Sequence, residues 1–211
     1  MKITKLGHCC LVIEVDGVRV LTDPGAFSTA QNEVKDIDIV LITHEHGDHL
    51  HIDSLKTVLK NNPRAKVITN RGVGKLLEKE RISYELLEDK QTKTVSGILI
   101  EGFGETHATI YRDFGQVQNT GYFIANRFFY PGDAFYNPQK QVEILALPVA
   151  GPWMKISEAI DYAKALKPKV CFPVHDGMLK IFGPFHRVPQ ALLKDAGIAF
   201  EVLNDGDSRE F

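Results

Sequence analysis

Four side chains that can bind a divalent cation, His44, His46, Asp48 and His49, fall within six residues, and the apolar run Ile37 to Thr43 leads straight into them. That run is too apolar for a surface loop and reads as a buried strand. The fold must therefore bring a strand end to a place where these side chains can share a site. On a regular strand His44, His46 and Asp48 would point to one face, because side chains alternate with period two. A bend at Gly47 would then swing His49 towards a neighbouring position. The spacing suits two metal ions better than one. A polar loop that caps the next helix through Asp48 is the competing reading, but four metal-competent side chains in six residues are a specific pattern.

The elements around this cluster define a fold class. Strands are expected at Ile3 to Leu6, Cys10 to Val15 and Val18 to Thr22, with Asp16-Gly17 as a hairpin turn. Beyond the cluster, Leu50, Leu55, Val58 and Leu59 recur at helical spacing, Lys66 to Thr69 resumes a strand, and Gly72 to Lys79 is a short helix before a strand at Glu85 to Leu87. From Thr92 the pattern becomes strands with tight turns: Lys93 to Val95, Ile98 to Phe103, Thr120 to Ala125, Phe128 to Tyr130 and Glu143 to Leu147. The last stretch mixes helices, Ile156 to Leu166 and Pro189 to Ala196, with strands, Lys169 to Phe172 and Ile198 to Leu203. Sheets with helices outside them in both halves predict an α/β chain folded as a four-layer αββα sandwich. With 211 residues and no repeat or linker, residues 1–211 are expected to form a single domain.

Three more metal-competent residues follow strands: His107 after Ile98 to Phe103, Asp133 after Phe128 to Tyr130, and His175 after Lys169 to Phe172. Loops at strand ends are where a scaffold-held metal site places its ligands. The net charge of −2 gives no excess positive charge to attract a polyanion or an anionic membrane, which argues against nucleic acid as a partner. No run is long enough to span a bilayer, and Met1 to Gly7 lacks the apolar core of a signal peptide. Three cysteines with an adjacent pair make no disulfide framework. Cys9, Cys10 and Cys171 read as small buried hydrophobes. The expectation is a cytoplasmic protein, and a homo-oligomer is compatible with the sequence.

The pattern His44-x-His46-x-Asp48-His49, with the later His107, Asp133 and His175 in order, resembles the metallo-β-lactamase superfamily nearly end to end. Gly7-His8-Cys9-Cys10, Thr22-Asp23-Pro24, Asn119-x-Gly121-Tyr122 and Ala150-Gly151-Pro152-Trp153-Met154 look like the branch that contains ascorbate-6-phosphate lactonase and related metal-dependent hydrolases. The resemblance implies a first metal held by His44, His46 and His107, a second by Asp48, His49 and His175, and Asp133 bridging them. Two adjacent cations acidify a shared water, so that a bridging hydroxide is available near neutral pH, and polarise the scissile oxygen. Imidazole and carboxylate ligands suit zinc, with manganese or iron as alternatives. The implied activity is hydrolysis of a small ester, lactone or phosphoester. The rivals are a di-iron redox enzyme of the same fold and a metal-stabilised binding module without catalysis.

Further residues extend the candidate site. Asp48 is expected both to bind metal and to orient the nucleophile. His8 is a candidate for contact with metal-bound groups or substrate, and a half-buried histidine bonded to backbone is an equal reading. His186 and Arg187, after Phe182-Gly183-Pro184-Phe185, could lie over the site on a loop, although charged pairs more often decorate a helix start. Trp153 reads as pocket wall or core, and Tyr136 lies near Asp133 in sequence. Lys155 and Arg187 offer a local positive pair for a small, anionic substrate.

Overall fold

The computed structural model describes residues 1–211. Fourteen strands form two seven-stranded mixed sheets, and four α-helices cover their outer faces. The first sheet holds β1 (Lys2–Gly7), β2 (Cys10–Val15), β3 (Val18–Thr22), β4 (Ile39–Ile42), β5 (Lys66–Thr69) and β6 (Glu85–Leu86) in chain order. The second holds β7 (Thr92–Val95), β8 (Ile98–Phe103), β9 (Gly121–Ile124), β10 (Phe128–Tyr130), β11 (Ile144–Pro148), β12 (Val170–Val174) and β13 (Ala199–Phe200). The final strand, β14 (Ser208–Glu210), returns to the first sheet and pairs antiparallel with β1. In each sheet one side is an antiparallel meander and the other is parallel.

Helices sit on the parallel crossovers: α1 (Ile52–Asn61) and α2 (Arg71–Lys79) on the first sheet, α3 (Ile156–Leu166) and α4 (Gly183–Lys194) on the second. Side-chain alternation builds the layers. Ile39 and Leu41 of β4 enter the core between the sheets, whereas Val40 and Ile42 pack under α1 and α2. On β11, Ile144 and Ala146 face between the sheets and Leu145 and Leu147 face α3 and α4. Strands buried on both faces read as unbroken apolar runs, which is why they were legible. The four-layer αββα architecture is as expected. No helix is long and apolar enough to cross a membrane.

Two local expectations, and the competing reading of Asp48 as a helix cap, are corrected. The segment Phe182 to Arg187 is not a loop, because α4 begins at Gly183 and carries His186 and Arg187 in its first turns. Pro184 fits there since the N–H groups of the first turn have no intrahelical acceptor, so no hydrogen bond is lost, and Pro189, which reads as a helix start, lies inside. β4 stops at Ile42, so His44, His46 and Asp48 converge through a turn and not through strand alternation, with His49 N and Leu50 N both donating to the His46 carbonyl (2.9 and 2.8 Å). The N-cap of α1 is His51, whose ring accepts from Ser54 N, and not Asp48. β14 had no apolar alternation to reveal it, since all three of its residues are exposed.

The turn at the cluster packs against the loop after β3 so closely that a Cβ on Gly25 would lie 1.7 Å from the Asp48 carbonyl oxygen, whereas one on Gly47 meets nothing within 4 Å. Gly25→Ala is therefore expected to cost at least about 1–3 kcal/mol as overpacking against a backbone that cannot yield. Gly47→Ala should be nearly silent. Urea denaturation of both variants checks this, and equal midpoints would count against the packing described.

Candidate metal centre

Every side chain of the cluster lies just past the C-terminal end of a strand. His44, His46, Asp48 and His49 follow β4, His107 follows β8, Asp133 follows β10 and His175 follows β12, with His8 after β1 and Asp23 after β3. Crevices at the carboxyl ends of strands are the usual ligand sites of such sheets. Three of these positions have left-handed backbone: His8 (φ 47°), Asp23 (φ 36°) and His175 (φ 60°). Non-glycine residues rarely adopt that region, and it concentrates at functional sites.

The seven metal-competent side chains predicted from sequence are brought together. Ligand atoms of His44, His46 and His107 lie within 4.8 Å of one another, as do those of His44, His49 and Asp133. Asp133 is central: its Oδ1 is 3.1 Å from His49 Nε2, and its Oδ2 is 2.8 Å from His175 Nε2 and 3.3 Å from His107 Nε2. Asp48 Oδ2 is 3.5 Å from His175 Nε2 and 3.8 Å from His49 Nε2.

Hydrogen bonds fix which nitrogen is free on three of the rings. The Thr43 hydroxyl donates to Asp23 Oδ2 (2.7 Å), so its contact with His44 Nδ1 (3.0 Å) has the ring donating. His49 Nδ1 donates to Asp23 Oδ2 (2.7 Å), and His107 Nδ1 donates to the Ala108 carbonyl. In all three the Nε2 atom is left buried without a hydrogen-bond partner, together with Asp133 Oδ1. Buried polar atoms are nearly always satisfied, and rings anchored through Nδ1–H that present a bare Nε2 are the arrangement metal-binding histidines adopt. The donor set fits divalent cations.

His8 has the opposite tautomer. Its Nδ1 accepts from Gly177 N (3.1 Å), so Nε2–H donates to Asp48 Oδ2 (3.2 Å). It is an orienting donor for Asp48. His186, in contrast, lies outside the cluster: its Nε2 donates to Asp176 Oδ2 (2.9 Å), and Asp176 also takes the buried Lys5 ammonium at 2.6 Å. Trp153 Nε1 donates to Asp133 Oδ2 (2.8 Å), so the indole both walls the cleft and holds the central carboxylate.

The other expected substrate residues face elsewhere. Lys155 is the exposed N-cap of α3, its backbone N–H bonded to Glu158. Arg187 folds back on α4 towards the Gly183 carbonyl, and the Tyr136 ring packs on Gly104 and Phe103. None of the three lines the cleft of about 340 Å³ above the cluster. A larger open hollow of about 700 Å³ beside α2 has the cluster's neighbour Glu45 on its wall but none of the seven metal-competent side chains.

Sequence reading missed the anchors of the cluster. Asp23, fully buried, accepts from His49 Nδ1, from the Thr43 hydroxyl and backbone N–H, and from the Tyr130 hydroxyl (2.5 Å). Asn119 holds the Asp133 turn by accepting from Asp133 N (3.1 Å) and donating to the Pro131 carbonyl (3.0 Å). The cysteines divide. Burial pushes the Cys10 thiol well up and that of Cys171 to about 12, as inert hydrophobes. Cys9 is also buried, but its sulfur lies beside His8, His49 and His175, which outweigh burial and lower the thiol to about 6.

A model of the beta-lactamase superfamily domain matches residues 2–175. The chain belongs to the metallo-β-lactamase superfamily. Within that superfamily it is similar to protein Rv0786c of Mycobacterium tuberculosis, 34% identical over 85% of each chain. It is also similar to the UPF0173 metal-dependent hydrolase of Archaeoglobus fulgidus, 27% identical over 100% of this chain and 99% of that one. A crystal structure from Parabacteroides distasonis superposes with a TM-score of 0.79 at 28% identity, over 96% of this chain and 93% of the other. The superfamily fold and the convergent cluster coincide in one chain.

Without metal, the cluster holds protons. Burial, the largest influence on His49 and His175, opposes their charge, but Asp133 and Cys9 outweigh it and raise both, His175 to about 10. Burial likewise opposes the Asp133 carboxylate, yet His49 and His175 hold it well below the ordinary range. The sign follows. A raised histidine stabilises the metal-free fold fully below its unfolded value of about 6.5, and that contribution is lost as pH rises towards about 10. A cation must displace those protons. Metal loading at pH 7 is therefore expected to release protons, with apparent affinity rising with pH. Calorimetry in buffers of different ionisation enthalpy measures the release, and none at all would refute this protonation state. Asp23→Asn should weaken metal binding about 10- to 100-fold by freeing the His49 ring.

Proposed function

We propose that the chain is a metal-dependent hydrolase with a dinuclear centre, zinc being the metal its donors suit, and that it cleaves a small ester, lactone or phosphoester. The observation that carries this reading is the set of buried, partnerless Nε2 atoms on anchored rings, facing a shared carboxylate under an open cleft. His44, His46 and His107 would hold one cation, Asp48, His49 and His175 the other, and Asp133, within reach of both groups, would be shared. Relatives named metal-dependent hydrolases support the same reaction class.

Two such cations make bound water acidic enough to react near neutral pH and polarise the scissile carbonyl or phosphoryl oxygen. The remaining work falls to the chain's own residues. Asp48 lines the cleft and is held at Oδ2 by His8. Burial opposes its charge, but His175 and His8 keep it ionised, so it stays an acceptor and orients water by taking a hydrogen bond. Trp153 holds Asp133 through its indole N–H. For an ester, the water oxygen bonds to the acyl carbon and the C–O bond breaks. The alcohol leaves with one proton and the acid loses the other to solvent.

Elemental analysis of the purified protein is expected to find two metal equivalents per chain. His46→Ala or His107→Ala should remove one, because two remaining imidazoles make a poor first sphere. Asp133→Ala should loosen both together and lower activity more than either. A stoichiometry unchanged in all three variants would sink the ligand assignment.

A further inference from the structure

We infer that the site is built for substrates whose part remote from the scissile bond is uncharged and apolar, such as an ester of a medium-length aliphatic acid, and not for a phosphorylated small molecule. This rests on the hydrolase reading above. Above the cluster, the cleft wall consists of Phe27, Ile110, Pro152, Trp153 and Met178, and no lysine or arginine lines it. A remote phosphate is recognised through charge-assisted hydrogen bonds from cationic side chains. Lys155 and Arg187 face other surroundings, and Lys5 is buried and committed to Asp176 and the Pro173 carbonyl.

The apolar rim is also unusually exposed. Phe27 is 51% and Met178 41% exposed. Tyr111 (62%) and Phe114 (73%), outside the cleft wall, are paired by a bridge in the loop after Ile110, where the Arg112 guanidinium packs over the Tyr111 ring, and the next residue, Gly115, approaches His46. Large apolar side chains left in water around a mouth mark a surface that some ligand covers. Here a reaction centre lies directly below, so the ligand is the substrate. A volume of about 340 Å³ is at the small end of ligand sites, which suits a chain of a few carbons.

The test is a series of p-nitrophenyl esters, acetyl to hexanoyl, with the metal-loaded protein. Each methylene that enters the cleft is expected to raise kcat/KM about two- to fourfold. Met178→Ser and Phe27→Ser should each flatten the series, costing the hexanoyl ester severalfold more than the acetyl. A flat or falling series in a protein that does hydrolyse the acetyl ester would overturn the inference alone, as would preference for 6-phosphogluconolactone over gluconolactone. If no ester, lactone or phosphoester is turned over, the hydrolase reading fails first. The apolar site is then judged by quenching of Trp153, the chain's single tryptophan. Hexanoate binding more tightly than acetate supports it, and equal or absent quenching by both overturns it.

Discussion

A single carboxylate with no access to water organises this molecule. Asp23 receives hydrogen bonds from the His49 ring, from the backbone and hydroxyl of Thr43, and from the Tyr130 hydroxyl on the opposite sheet. A buried charge left unpaired would cost several kcal/mol, so each of these donors is required by the others. The consequence reaches both layers of the sandwich. Tyr130 ties β10 to the end of β3, Thr43 fixes where β4 hands over to the cluster, and His49 is turned so that its second nitrogen faces Asp133. Tyr122 repeats the device from β9, its hydroxyl donating to the Ile42 carbonyl. The register between the two sheets and the direction of the metal-competent rings are thus one constraint.

That constraint also accounts for the backbone at the strand ends. His8, Asp23 and His175 all turn through the left-handed region, and each turn lets a side chain leave its strand and point along the sheet edge into the crevice. The His175 amide donates to the His8 carbonyl (3.2 Å) and Gly177 N to the His8 ring, so two of the three strained turns brace each other. The Lys5, Asp176 and His186 group lies behind them and fixes the segment after His175 from the far side. His186 therefore belongs to the support of the site, although it sits outside the cleft.

How much was legible follows from the range of the interactions. The central strands and the ligand motif were readable because burial on both faces and a tight cluster leave local signatures. Asp23 was not, because its partners lie 20, 26 and 107 residues away and nothing around Thr22-Asp23-Pro24 announces a buried anion. The tautomers of His8 and His49 were invisible for the same reason, each being decided by a distant partner. Lys155 and Arg187 failed as an anion site because sequence proximity to Trp153 and His186 says nothing about which face of a helix a side chain takes. Arg187 in addition lies in the first turns of α4, whose true start Pro189 hides in the sequence. Short pieces that looked like one lactonase-containing branch turn out to have structural jobs: Asn119 holds the Asp133 turn, and Trp153 bonds its carboxylate.

Those jobs suggest how chemistry and selectivity are divided along each loop. The loop after β3 carries Asp23 first and Phe27 a little later; the loop after β8 carries His107 and then Ile110; the segment after β12 carries His175 and then Met178. In each case the residue nearer the strand is buried and belongs to the cluster or its anchor, and the one further out is apolar and on the rim. A side chain close to a strand end inherits the rigidity of the sheet, which a coordination site needs within a few tenths of an ångström. One further along the loop is free of the ladder and can change with little cost to the fold. The same scaffold can then keep its metal-competent cluster while the rim is rewritten for a different substrate. Reaction type is therefore legible in the strand-end motif, whereas substrate is recorded in loop residues whose meaning appears only once the fold has gathered them around one mouth.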